Sequence, residues 1–112
     1  MVARAGRVFF GDRLAGRIVE DEDGFRFSYD SGYLSADGAM AVSLSLPLRA
    51  EPYTDRNLFP FFDGLIPEGW LLEIAERTWK LDPRDRMGLL LACCEDCIGA
   101  VSVRREEERS GT

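Results

Sequence analysis

Histidine is absent from the sequence. Without the commonest general base and the commonest metal ligand, a Ser-His-Asp triad, a facial triad and a histidine-based zinc site are all excluded. The chain also lacks G-x-x-x-x-G-K-[ST], G-x-G-x-x-G, H-R-D and D-F-G. It therefore holds none of the parts that phosphoryl transfer requires, and no enzyme activity is expected. No apolar run approaches the roughly 20 residues of a membrane span, and MVARAGRVFF lacks the apolar stretch of a signal peptide. A cytoplasmic chain with no membrane partner is expected. Basic charge is in deficit, with 14 basic against 20 acidic side chains and a formal charge of -6. That balance opposes the counterion release that drives nucleic-acid binding, so no direct nucleic-acid contact is expected.

Cysteine is sparse. Cys93, Cys94 and Cys97 form an odd, clustered set that does not look like a disulfide framework. The Cys94-x-x-Cys97 spacing could grip zinc or exchange disulfides. A structural zinc site needs four ligands, however, and Cys93 is the sole candidate for a third sulfur. The pair also falls at an expected helix C-terminus, where the dipole disfavours a thiolate. Small buried residues are the better reading, and no metal or cofactor is expected. The acidic run Glu20 to Asp23 lacks the EF-hand spacing and its distal glutamate, and reads as a solvated turn.

What is present is a globular composition, 46% apolar and 30% charged over 112 residues. A chain of this length forms one domain and buries about two-thirds of its unfolded surface. Residues 1–103 read as that domain. The remainder, 104–112 (RREEERSGT), is charged and without apolar anchors, as expected of a disordered tail.

The first half alternates with a period of two. Val8 and Phe10, a Gly11-Asp12 turn, then Leu14, Gly16 and Ile18 spell a hairpin. Phe25, Phe27 and Tyr29 alternate with Arg26 and Ser28 in a third strand. Beyond a loop rich in glycine and aspartate, Val42, Leu44 and Leu46 alternate with Ser43 and Ser45 in an expected fourth strand, ended by Pro47. Around Pro52 to Asp55 a polar connection is expected.

The period then changes to about 3.6. Residues 57–65 predict a short aromatic helix carrying Phe59, Phe61 and Phe62. Pro67 suits the first turn of the next helix, where Glu68 complements the dipole, and Leu71, Ile74, Ala75 and Thr78 line one face. A third helix is signalled by Asp82 as N-cap, Pro83 at N1 and Asp85 at N3, with Met87, Leu90, Leu91 and Cys94 on its apolar face. Residues 99–103 read as a closing strand that pairs back into the sheet. The fold class is α+β: a small antiparallel sheet covered by two or three helices.

Four segments in this order resemble the N-terminal subdomain of HipA-type serine/threonine kinase toxins. They are the hairpin from Val8 to Ile18, Ser43-Leu44-Ser45-Leu46-Pro47-Leu48, the run from Phe59 to Trp70 that contains F-F-x-x-L-x-P-E-G-W, and the stretch from Asp96 to Val103. The resemblance spans about Arg7 to Val103 and implies a sheet that can curl into a barrel. The kinase core that follows in those toxins, with its ATP loop and catalytic and metal-binding aspartates, has no counterpart here. The family's catalytic residues therefore carry over to no position.

A stand-alone chain of this kind resembles HipS, the small component of tripartite HipBST toxin-antitoxin systems. The resemblance implies a bacterial antitoxin that binds and inhibits a HipT-like serine/threonine kinase and reaches DNA through a HipB-like protein. The alternative within the family is a non-inhibitory structural subdomain of a HipA-type kinase. A small-ligand barrel and a thiol redox protein are the rivals from other classes.

The expected docking element comprises Phe61, Phe62, Leu65, Pro67, Glu68, Gly69 and Trp70. Pro67 and Gly69 are poor interior helix residues and would place Trp70 in or beside a first helical turn at the domain's edge, where an indole covers large area at low entropy cost. A core role for Trp70, against Leu44 or Phe62, stands beside that reading.

Overall fold

The fold is described from a computed structural model, over residues 4–66, 77, 84–93 and 100–106. Strands β1 (Arg4–Phe10) and β2 (Arg13–Asp21) form the expected hairpin. Gly11 makes its turn possible by adopting a φ of 62°, a conformation that costs a residue with a Cβ more than it costs glycine. A bulge between Val8 and Phe9 leaves Ala15 and Gly16 both on the buried side, so Leu14 comes opposite Phe9 on the other face. Strand β3 (Gly24–Tyr29) pairs with β2, as its alternating aromatics require.

The remaining strands differ from expectation in instructive ways. The edge strand next to β3 is β4 (Tyr53–Asp55), in the stretch expected to be a polar connection, with Tyr53 opposite Phe27. The expected strand at Val42 to Leu46 is instead a tight turn, in which the Leu46 amide donates to the Ser43 carbonyl at 3.0 Å. Serine explains it. Ser43 Oγ accepts from the Ser45 amide at 3.2 Å and lies 2.9 Å from Ser45 Oγ, so side chains take over groups that a ladder would use.

The closing strand β5 (Val101–Arg105) pairs antiparallel with β1. It includes Arg104 and Arg105, which were expected in the tail, and the Glu106 amide continues the pairing by donating to the Ala5 carbonyl at 2.9 Å. The five strands lie in the order β4-β3-β2-β1-β5. Because β4 and β5 are the two ends and do not pair with each other, the sheet is open and no barrel closes.

Three helices are described. Helix α1 (Ser31–Ser35) stands where the Gly- and Asp-rich loop was expected, capped by Asp30, whose carboxylate accepts from the Tyr33 amide at 3.2 Å. Helix α2 (Pro60–Asp63) is the short aromatic helix. Helix α3 (Arg86–Cys93) starts later than its sequence signal. Asp85 caps it: its carbonyl accepts from Leu89 at 3.0 Å and its carboxylate from Gly88 at 3.1 Å, placing it at N-cap rather than N3. Asp82, Pro83, Cys94 and Cys97 lie outside the described residues. Of the helix expected after Pro67, only Arg77 is described, and it is helical.

The core fills the space between the inner sheet face and the helices. Val8, Ala15, Ile18 and Phe27 from the sheet meet Phe62, Met87, Leu89 and Leu90, all of them fully buried. Gly6 lets α3 approach, since a Cβ there would stand 2.7 Å from Leu91 Cδ2 and 2.9 Å from Val103 Cγ1. Arg4 then ties three elements together. Its Nε donates to Glu20 at 2.7 Å, and its two terminal nitrogens donate to the Asp85 carboxylate at 2.8 and 2.7 Å. A bidentate pair of this type fixes orientation as well as distance.

The Arg4 guanidinium beside Asp85 holds that carboxyl below its usual range, with the Gly88 amide adding to the effect and partial desolvation opposing it. A depressed folded pKa contributes stability above the unfolded value that is lost as pH falls through the folded one. Asparagine caps helices as well as aspartate but does not titrate. Asp85→Asn is therefore expected to flatten the loss of stability below about pH 4, measured by urea unfolding across pH. Identical slopes for both chains would show that Asp85 makes no such contribution.

Candidate docking surface

Among the described residues no group of three or more cysteine, aspartate or glutamate side chains is placed to hold a metal ion. The shifted titrations belong to groups that hold the fold. Arg4 is raised chiefly by its hydrogen bond to Asp85, Asp85 is lowered by Arg4, and the Tyr29 phenol is raised by burial. A buried phenol held protonated is a hydrogen-bond donor, not a nucleophile. The described residues do form surfaces that a partner could meet.

Two such surfaces stand out, and both begin at the aromatic cluster. At α2, Pro60 occupies the first helical position, where its missing N–H costs nothing. The Asp63 amide donates to Phe59 at 2.9 Å and the Gly64 amide to Pro60 at 2.9 Å, and tighter turns through Leu65 and Ile66 follow. This winding sorts the side chains by their i, i+4 spacing. Phe62 and Ile66 turn inward and are buried, whereas Phe61 and Leu65 remain partly exposed.

Of the expected docking residues, then, Phe61 and Leu65 share a half-open face. Phe62 supports that face from beneath: it has no exposed surface, and its ring lies 5.1 Å from Phe61 and 5.3 Å from Phe27. It presents nothing to a partner directly. Pro67, Glu68, Gly69 and Trp70 lie outside the described residues.

The second surface was hidden by the mistaken strand. Three tyrosine hydroxyls hold the loop from Met40 to Pro47. Tyr29 Oη donates to the Leu46 carbonyl and accepts from the Val42 amide at 3.0 Å. Tyr33 Oη donates to the Met40 carbonyl at 2.6 Å and accepts from its amide at 3.1 Å, and Tyr53 Oη donates to the Pro47 carbonyl at 2.6 Å. The Arg49 guanidinium closes the loop by stacking 3.7 Å from the Tyr53 ring centre. Val42 and Leu46 are drawn into the core, and Leu44 is left at the apex with its whole side chain exposed. Met40, 59% exposed, adds to the apolar surface. The signal in the sequence was Ser-Leu-Ser, whose hydroxyls favour a turn over a ladder.

Comparison with known proteins agrees with this architecture. Residues 6–104 match the HipA N-terminal domain family. An uncharacterized protein of Haemophilus influenzae is 35% identical over 107 residues, which cover 96% of this chain and 97% of that protein. A putative kinase of Sinorhizobium fredii, Y4mE, is 30% identical over 109 residues, and the chain spans about a quarter of its length, 26%. In three dimensions the chain is similar to a solved N-terminal domain of HipA toxin, with a TM-score of 0.74, 32% identity and 97% of each chain covered.

The two roles of the loop separate under mutation. Tyr29→Phe strands two buried backbone groups and is expected to cost about 1–3 kcal/mol in urea unfolding. Leu44→Ser removes no packing and is expected to change stability by less than about 0.5 kcal/mol. Equal losses in the two variants would mean that Leu44 is not the free apex described.

Proposed function

The chain belongs to the HipA N-terminal domain family, and from that premise we propose that it is an antitoxin-type protein, HipS-like, that binds and inhibits a HipT-like serine/threonine kinase. The observation that carries the proposal is the double occurrence of this domain. It makes up 97% of the Haemophilus relative and 26% of the Sinorhizobium putative kinase. A domain that occurs in one chain with a putative kinase, and also nearly alone, is suited to meet a kinase in another chain. The half-open Phe61–Leu65 face, continued in sequence by Pro67, Glu68, Gly69 and Trp70, is the docking element in this proposal. DNA is reached through a HipB-like partner, because a chain of formal charge -6 repels phosphate. In this function the chain supplies no catalytic group of its own.

The Sinorhizobium match favours a second reading, in which the domain stabilises a HipA-type kinase without inhibiting it. Co-expression separates the two. Relief of the growth arrest caused by a HipT-like kinase supports the antitoxin, and co-purification with undiminished arrest supports the structural subdomain.

Trp70→Ala is expected to weaken kinase binding by about 2 kcal/mol or more with an unchanged melting midpoint. A loss of about 3–5 kcal/mol in stability would assign the indole to the core instead. A gel shift of promoter DNA by the chain alone at moderate salt would contradict indirect DNA contact.

A further inference from the structure

The sheet's outer face has a charge opposite to that of the whole protein. Arg104, Arg7 and Arg17 stand directly opposite one another on β5, β1 and β2, and Arg26 follows on β3, two residues from the Ser28 that faces Arg17. All four are exposed. Like charges facing each other across strands destabilise a sheet. Within the fold Arg17 has an ion pair and Arg104 a ring contact, but among the described residues Arg7 and Arg26 have neither. A local rule broken without structural gain is the mark of a binding site.

One carboxylate is already seated there. Glu106, just past β5 and paired through its amide with Ala5, accepts from Arg17 Nε at 2.6 Å. Among the described residues Arg7 and Arg26 have no ion-pair partner, while Arg104 stacks 4.9 Å from the Phe9 ring centre. Beside the arginine row runs an apolar one, Phe9 opposite Leu14, with Leu14 37% exposed.

We propose that this face docks an acidic, amphipathic protein segment, its carboxylates on Arg7, Arg17 and Arg104 and its apolar side chains on Phe9 and Leu14. The chemistry is complementary on both rows, because guanidinium forks bind carboxylates and the aromatic and leucine side chains need an apolar mate. A nucleic acid fits less well. The row crosses three strands, about 10 Å, and acidic turns at Asp12 and at Asp21 to Asp23 flank it along the strands. A polyanion lying along the strands would run into both. Glu106 occupies Arg17 in the free chain and competes with the incoming carboxylates.

Fluorescence polarisation on the full chain tests this with a short labelled helical peptide of glutamate and leucine. Comparison probes are the same peptide with lysine for glutamate and a duplex oligonucleotide. The glutamate peptide alone is expected to bind, and more weakly as salt rises. Arg7→Gln with Arg104→Gln is expected to weaken it roughly tenfold or more, about 1.4 kcal/mol, with a melting midpoint equal to or above the parent's. Glu106→Gln is expected to bind the peptide more tightly, an effect that a purely structural ion pair would not produce. Equal binding of the lysine peptide, preferential binding of the duplex, no binding of the glutamate peptide, or no gain in Glu106→Gln would each overturn the proposal.

Discussion

Phe27 lies on the inner face of β3 with no exposed surface, and its ring meets Phe62 of α2 at 5.3 Å and Tyr29 at 4.9 Å. A four-residue helix cannot hold itself together, because nucleation is unfavourable and so few bonds repay it. Burial of an aromatic side chain contributes about 1.5–3 kcal/mol, and a tilted ring pair adds about 0.5–1.5 kcal/mol. The partly exposed Arg86–Asp63 pair at 2.6 Å contributes no more than about 1 kcal/mol. The aromatic contact therefore sets where α2 sits, and the ion pair only trims its direction. Phe61 and Leu65 become a surface because Phe62 and Ile66 are held beneath them.

The same strand governs the other apolar surface. Tyr29 follows Phe27 on the inner face, stacks on Tyr33 with their rings 7° from parallel, and sends its hydroxyl into the loop that presents Leu44. One buried strand thus positions both α2 and the Leu44 turn. The outer face of the sheet is free of these duties, and there the arginines collect.

Elements whose side chains repeat with one period were legible in the sequence. The β1–β2 hairpin, β3, the aromatic helix and β5 all stand close to where alternation or helical spacing put them. Several of the failures share one physical origin, the competition of short polar side chains and tyrosine hydroxyls for backbone groups. Val42, Leu44 and Leu46 alternate perfectly, yet Ser43 and the Tyr29 hydroxyl turn them into a loop. Asp30 caps a helix inside an apparent loop, and Asp85 takes the cap that Asp82 seemed to offer. Tyr53 to Asp55 carries too little pattern to announce a strand and forms one because β3 presents an open edge. Of the docking element, i, i+4 spacing brings Phe61 and Leu65 onto one face, but the sequence did not separate them from Phe62, whose burial depends on a partner ring far away in sequence. The arginine row could not be seen at all, since Arg7, Arg17 and Arg104 meet only through strand register.

The proposed role, a docking domain that restrains a kinase, makes a stoichiometric demand. Titrating the purified chain into a HipT-like kinase, with phosphate transfer as the readout, tests it most directly. Activity is expected to fall with added chain and to reach its floor at a fixed ratio of chain to kinase. A kinase that binds the chain and keeps, or gains, activity at saturation would contradict the inhibitory role.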